Sequence, residues 1–261
     1  MAVSQISSRD NPRFKALKQL ATSAAAIRQT GQTVLAGAHL VQAALAAGIK
    51  PRQLLLCADA PVPAEVARIV GGLPSVPVIE LAPSLFKDIC QLMTPDGIAA
   101  VIDIPPAEPS QIGSDTLVLD GIQDAGNVGT MLRTAAAAGV ADVVLGAGCA
   151  GAWTAKVLRA GQGAHFSLCI QENVELVPWL KACDLPRGGA VAEGGLSLYE
   201  SKLESAHVWI FGSEGQGIST AVETLLTRRI SIPMAMGVES LNVAAAAAIC
   251  LFEARRQRLE K

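Results

Sequence analysis

The sequence predicts an α/β protein in two parts, the second built on a mainly parallel sheet. Three observations lead there. Apolar residues make up 51% of the 261-residue chain and charged residues 17%, enough to bury a core and the opposite of the balance that leaves a chain disordered. The segment Ile104–Gly113, IPPAEPSQIG, holds three prolines, which remove backbone donors and restrict their neighbours, so it reads as a linker. Short apolar runs alternate with helix-like stretches on both sides of that break, as strands and helices do around a covered sheet. The expected boundaries are 1–104, a linker at 105–113, and 114–261.

In chain order, a basic helical segment comes first. Then 38–47 (AHLVQAALAA) is helix-like, 53–56 strand-like, 75–80 strand-like after Pro74, 83–91 helical and 98–102 a strand. After the linker, strands are expected at 116–119, 142–145, 166–170, 190–192, 208–211 and 229–232, with helices at 128–138, 174–182, 220–226 and 241–256. Ligands of such sheets bind at the carboxyl ends of the strands.

Charge is unevenly spread. Residues 1–58 carry seven Lys/Arg (Arg9, Arg13, Lys15, Lys18, Arg28, Lys50 and Arg52) against Asp10 alone, a net of +6, while the remainder nets −8. A basic end on an acidic body points to a polyanionic partner for that end, and a solvated helix face is the plainer alternative. Aromatic content of 3% disfavours a base-stacking module. The six cysteines are scattered without close pairs or nearby histidines, which fits neither a disulfide framework nor a metal site and leaves them as reduced, mostly buried apolar groups. His39, His165 and His207 are isolated in sequence and read as packing or surface residues. The start, MAVSQISSRDNPRFK, lacks the apolar core of a secretory signal. No apolar run nears the roughly 20 residues a membrane helix needs, so a cytoplasmic protein is expected.

Three segments carry chemistry. In 119–139, LDGIQDAGNVGTMLRTAAAAG, a strand turns through Gly121 and Gly126 into a helix near Asn127, whose side chain can cap it. Arg133 follows among alanines, a setting that leaves a guanidinium free for a phosphate. In 208–219, VWIFGSEGQGIS, a buried strand runs into Gly212, Gly215 and Gly217 around Glu214. This is not the dinucleotide fingerprint, and the acid suits an adenosine-type or cationic ligand better than a phosphate. In 230–256, ISIPMAMGVESLNVAAAAAICLFEARR, a strand ends at Pro233 and a helix begins at Ser240 or Asn242, with Ala244–Ala248 forming a stripe that allows close packing. Alone, each segment also reads as an ordinary capped helix or tight loop.

Together they resemble the SpoU (TrmH-type) branch of the knotted SPOUT superfamily. Asn127 and Arg133 fall in N-V-G-x-x-x-R-T-A. Gly212, Glu214 and Gly215 fall in F-G-S-E-G-x-G. Ile232, Pro233, Met234, Ser240, Leu241 and Asn242 fall in I-P-M-x-x-x-x-x-S-L-N-V. Ile6–Pro12, Gly37–Val41 and Thr94–Ile98 resemble the substrate-binding domain attached to many such enzymes, with departures at Ala36 and Asp96, and at Ala244 in the third motif.

The resemblance implies a C-terminal parallel-sheet domain with a deep trefoil knot, an exception to the rule against threaded chains, and a small N-terminal α/β ribosomal-protein-like domain that holds RNA. It implies S-adenosylmethionine-dependent methylation of a ribose 2′-hydroxyl in structured RNA, with rRNA favoured over tRNA, by a homodimer that needs no metal. Arg133, Asn127, Glu214, Ser240 and Asn242 would be the catalytic set. Phe211, Gly212, Ser213, Gly215, Gly217, Ile232, Met234 and Leu241 would hold the methyl donor. Arg9, Arg13, Lys15, Lys18, Arg28 and Arg133 would meet the RNA. Three alternatives stay open: a non-catalytic ribosome-assembly protein of the same fold, a base methyltransferase, and a nucleotide-binding oxidoreductase.

Overall fold

The computed structural model describes residues 3–91, 96–108 and 114–259. Thr94, Pro95 and the 109–113 part of the expected linker lie outside the described residues. The chain divides into two units, Met1–Pro105 with Trp153–Phe166, and Pro106–Ala152 with Ser167–Lys261. The return of Trp153–Phe166 to the first unit is not foreshadowed by any composition break.

The first unit runs β1 (Val3–Ile6), α1 (Pro12–Thr22), α2 (Ala24–Thr30), β2 (Gln32–Ala36), α3 (Ala38–Ala46), β3 (Gln53–Cys57), α4 (Ala64–Gly71), β4 (Val78–Leu81), α5 (Pro83–Cys90) and β5 (Ile98–Asp103). Local chemistry sets the ends. The Asn11 side chain accepts the Arg13 amide ahead of Pro12 at the start of α1, and Ser23 does the same for Ala26 in α2, satisfying donors a helix start leaves open. Gly31, at φ +65°, stops α2. The sheet order is β1-β4-β3-β5-β2, with β1, β4 and β3 parallel and β5 antiparallel to both β3 and β2. Leu55, Leu81, Leu85, Phe86 and Ile89 fill its core, each contributing about 1.5–3 kcal/mol by burial.

The second unit holds β6 (Thr116–Asp120), α6 (Ala125–Ala138) and β7 (Asp142–Gly146). Next in the chain come α7 (Ala155–Gly161), which groups with the first unit, then β8 (Cys169–Val174), α8 (Leu176–Lys181), β9 (Arg187–Ala190), β10 (Leu196–Ser197), β11 (Val208–Gly212), α9 (Thr220–Glu223), β12 (Arg228–Ser231) and α10 (Val243–Leu259). The seven strands are all parallel, in the order β10-β12-β9-β11-β6-β7-β8. From β6 the chain builds outward through β7 and β8, then crosses to the other side for β9, β11 and β12, so β6 and β11 flank the point where the order reverses. Their register pairs Asp120 with Gly212, placing both carboxyl ends side by side at the edge where such sheets take ligands. All five residues of β11 are buried, Trp209 completely. Helix α10 packs on α6, with Ala135 and Ala138 of α6 and Ala244 and Ala247 of α10 buried, and Arg255 donates to the Ala138 carbonyl at 3.1 Å.

Three expected strands slip. The one expected at 75–80 begins at Val78, after Pro77, which has no amide N–H to give a ladder. The one expected at 166–170 begins at Cys169, because Ala164–Ser167 forms a 3-10 turn. The one expected at 190–192 ends at Ala190, which releases Val191 and Ala192 into a loop. No helix among the described residues is long and apolar enough to cross a membrane.

Candidate active site

The site grows from the ends of β6, β9, β11 and β12. At the end of β6, Asp124 caps α6, its carboxylate accepting the Asn127 amide at 2.8 Å. The cap is therefore Asp124 and not Asn127. Both residues could do it chemically, and the extended backbone at Asp124 decides. Asn127 then sits in the first helical turn with its side chain free. Its Nδ2 donates to Glu214 Oε1, and its Oδ1 accepts from Asn242 Nδ2 at 3.0 Å. Asn242 in turn caps α10, its Oδ1 accepting the amides of Ala244 at 3.0 Å and Ala245 at 3.3 Å. One chain of hydrogen bonds thus joins the three sequence segments, running from the start of α10 to the Glu214 carboxylate.

Glu214 rides on a tight loop. The Gly217 amide donates to the Ser213 carbonyl at 2.8 Å, and Gly217 takes φ +66°, a conformation glycine adopts without steric cost. A Cβ on Gly212 would fall 2.0 Å from the Gly217 carbonyl carbon and 2.1 Å from the Ile218 nitrogen, so the backbone folds back on itself with no room for a side chain. Asp120 closes the far end, its Oδ2 accepting the Ser219 amide at 2.7 Å.

These loops enclose a cavity of about 410 Å³. Ile230, Ile232, Met234, Leu241 and Ala246 supply apolar walls, Phe211 and Gly212 the floor at the end of β11, and Ser213, Glu214, Ser240 and Asn242 the polar groups. Gly217 also lines it, whereas Gly215 does not. Glu214 is the one ionisable group on the wall, so the cavity suits a largely apolar ligand that carries positive charge. Beside it, Cys149 directs its Sγ toward the Leu119 carbonyl at 3.3 Å. Burial pushes its thiol up, leaving little thiolate for nucleophilic chemistry.

Arg133 stands apart from the cavity. It is exposed on α6 and makes no hydrogen bond or ion pair among the described residues. Six residues beyond Asn127, it lies roughly 9 Å along the helix and on another face. Arg9, Arg13, Lys15, Lys18 and Arg28 are all exposed on the first unit. Arg9 and Lys18 share Asp88, at 3.0 and 3.8 Å, and Lys15 meets Asp10 at 3.2 Å. His165 and His207 are buried and His39 exposed. Sequence reasoning missed Asp120 and the Ala190–Ala192 wall. The available signal was a run of small residues, GGAVAEGG, that begins within β9 and runs on past its end.

The SpoU rRNA Methylase family description matches residues 115–252, and that of the MRM3-like substrate binding domain matches 11–100. The 23S rRNA (guanosine(2553)-2'-O)-methyltransferase RlmP of Bacillus subtilis is 32% identical over 96% of this chain and 99% of its own. The SpoU methyltransferase AviRb from Streptomyces viridochromogenes, solved in complex with AdoMet, superposes with a TM-score of 0.84 at 25% identity, covering 96% of this chain and all of its own. A solved RNA 2'-O ribose methyltransferase gives 0.82 at 28% identity, covering 98% and 99%.

Proposed function

The chain belongs to the SpoU rRNA Methylase family, and from that premise we infer that it transfers a methyl group from S-adenosylmethionine to a ribose 2′-hydroxyl of ribosomal RNA. The observation that carries this is the cavity lined by the second and third motif segments and tied to the first through the Asn127–Glu214–Asn242 chain. The residues present fit the donor. Apolar walls suit an adenine and ribose, the Gly212 fold gives backbone close approach, and a single carboxylate faces a ligand with a sulfonium charge. When bound, the donor supplies an electrophilic methyl group.

The protein's own part is positioning and proton management. A guanidinium stays protonated, so Arg133 serves by gripping the phosphate beside the target ribose. With donor bound, the methyl group would pass to the 2′-oxygen as its bond to sulfur breaks, leaving a neutral thioether, and the hydroxyl proton would leave through that phosphate. Ser240 and Asn242 orient the ribose at the cavity mouth, Asn127 fixes Glu214, and Phe211, Gly212, Ser213, Gly217, Ile232, Met234 and Leu241 hold the donor, while Gly215 stands outside the lining. No step calls on a metal.

The reading includes a homodimer with the site completed across the interface. Arg133 lies away from its own cavity, and Met236, Leu241, Phe252 and Leu259 are exposed on the loop before α10 and on α10 itself, which supports a second copy covering that face. It also includes a trefoil knot in the second unit, supported by the match of residues 115–252 to the family description. The first unit holds the RNA with a ribosomal-protein-like fold, and the protein works in the cytoplasm, where rRNA is its substrate before tRNA.

The test is methyl transfer from radiolabelled S-adenosylmethionine to RNA lacking native modifications, fractionated by size. Label on ribose in rRNA, lost in Arg133→Ala while donor binding persists, is expected. An Arg133→Ala protein that binds donor and RNA and turns over at the wild-type rate would sink the arginine's role.

A further inference from the structure

Trp153–Phe166 leaves the second unit between β7 and β8 and groups with the first. It is fixed there by core contacts. The buried Thr33 hydroxyl donates to the Trp153 carbonyl at 2.7 Å. The Trp153 ring, itself buried, tilts against His165 and Phe166 at 5.2 and 6.2 Å. At Gly163 a Cβ would fall 2.8 Å from that of Ala43.

The segment brings Lys156 and Arg159 and no acid. Met1–Pro105 alone has nine Lys/Arg and seven Asp/Glu, a net of +2. With the segment the unit reaches +4, against −6 for the rest of the chain. The two cations are also placed. Arg159 Nη1 donates to the carbonyl of Gln91, the left-handed cap of α5, at 3.0 Å. Lys156 sits three residues before Arg159 on α7, and Lys87 four before Gln91 on α5, spacings that share a helix face. Lys87 and Lys156 are exposed. Next to Lys87, Asp88 already takes Arg9 and Lys18. Among the described residues, five cations therefore lie on or beside α5 and α7, against Asp88 and, near Cys90 at the end of α5, Asp96.

We propose that α5 and α7 form a phosphate-binding seam, in which Lys87, Lys156 and Arg159 grip the backbone of the RNA substrate. The proposal rests on the methyltransferase reading above. Arg159 is held by one N–H at Gln91, so its guanidinium meets a phosphate already oriented, with its other donors available and less conformational freedom to lose. A protein partner fits less well, because Val62 is the one exposed large apolar residue of this unit among the described residues.

The experiment titrates unmodified rRNA transcripts with the full-length protein across a salt series. Each lost phosphate contact lowers the slope of log affinity on log salt by about 0.7–0.9. Lys87→Ala/Lys156→Ala is expected to lose about 1.4–1.8 of slope and roughly ten-fold or more in affinity, with unchanged melting and unchanged donor binding by calorimetry. Arg159→Gln should follow in the same direction. Lys181→Ala on α8 of the second unit, the same single-charge loss as Arg159→Gln, should leave affinity and slope as in the wild type. Wild-type affinity in the double variant, or an equal loss in Lys181→Ala, would overturn the seam while wild-type methylation stands. A wild-type protein that methylates no RNA fraction would overturn the methyltransferase reading, and the seam with it.

Discussion

Gly212→Ala is the sharpest perturbation the structure offers, because the added atom runs straight into the Gly217–Ile218 peptide. The new Cβ would lie 2.0 Å from the Gly217 carbonyl carbon, 2.1 Å from its oxygen and 2.1 Å from the Ile218 nitrogen, where ordinary contact needs about 3.5 Å or more. No side chain can swing away, so the 213–218 loop must move by more than 1 Å. That places the cost at or above the top of the roughly 1–3 kcal/mol range for overpacking. About 3 kcal/mol corresponds to a melting temperature lowered by about 6–12 °C for a unit of this size. The same displacement moves Glu214 off Asn127 and reshapes the cavity floor, so donor affinity should fall by more than ten-fold, read by calorimetry. Gly215→Ala is the control. Three residues away in the same loop, it has nothing within 4 Å of its added Cβ and no positive φ, so it should melt and bind as the wild type does. If the two variants behave alike, the close backbone approach is not what shapes the cavity.

Asp120→Ala removes the acceptor of the Ser219 amide. It should raise the KM for the methyl donor about ten-fold, the worth of one such bond, with Asp120→Asn restoring most of it; an unchanged KM would show that the loop holds itself. Mixing Arg133→Ala chains with Asn242→Ala chains should recover about a quarter of wild-type activity if each site takes its arginine from a second copy, whereas a site complete within one chain recovers none. Burial holds His207 below the usual histidine value of 6.5, with its Nδ1 against the Ser205 carbonyl and Asp115, Arg228 and Arg258 as its charged surroundings. The unfolded chain therefore binds a proton that the folded chain refuses. Stability from this group is complete above about pH 6.5 and declines as pH falls below it, so the melting temperature should drop on acidification and His207→Gln should flatten that slope.

Strands whose every residue is buried were legible: β7 and β11 read directly as apolar runs. The short strands β1, VSQI, and β2, QTVLA, were not, because half their residues are polar and their stability comes from neighbours in the sheet. Helix α7 escaped for the same reason, since Trp153, Val157 and Leu158 find their buried places in the other unit. The Gly188–Gly189 pair in β9 answers a packing demand that no local pattern shows. A Cβ would lie 3.1 Å from Ile230 at Gly188 and 2.5 Å from Leu226 at Gly189.

At the site, residue types were legible and partners were not. Nothing local distinguishes an asparagine that caps its own helix from one that ties two others together, and Asn127 does the second because Asp124 does the first. The sheet order makes that division useful. Segments separated by about ninety residues become neighbours only because β11 inserts beside β6, and Asp120 and Asn127 then each fasten one part of the glycine loop, at Ser219 and Glu214. A loop that small and that rich in glycine would otherwise lose much of its order to conformational entropy. Fastened at both places, it presents Glu214 and the backbone of Ser213 and Gly217 to the cavity without needing the ligand to organise them.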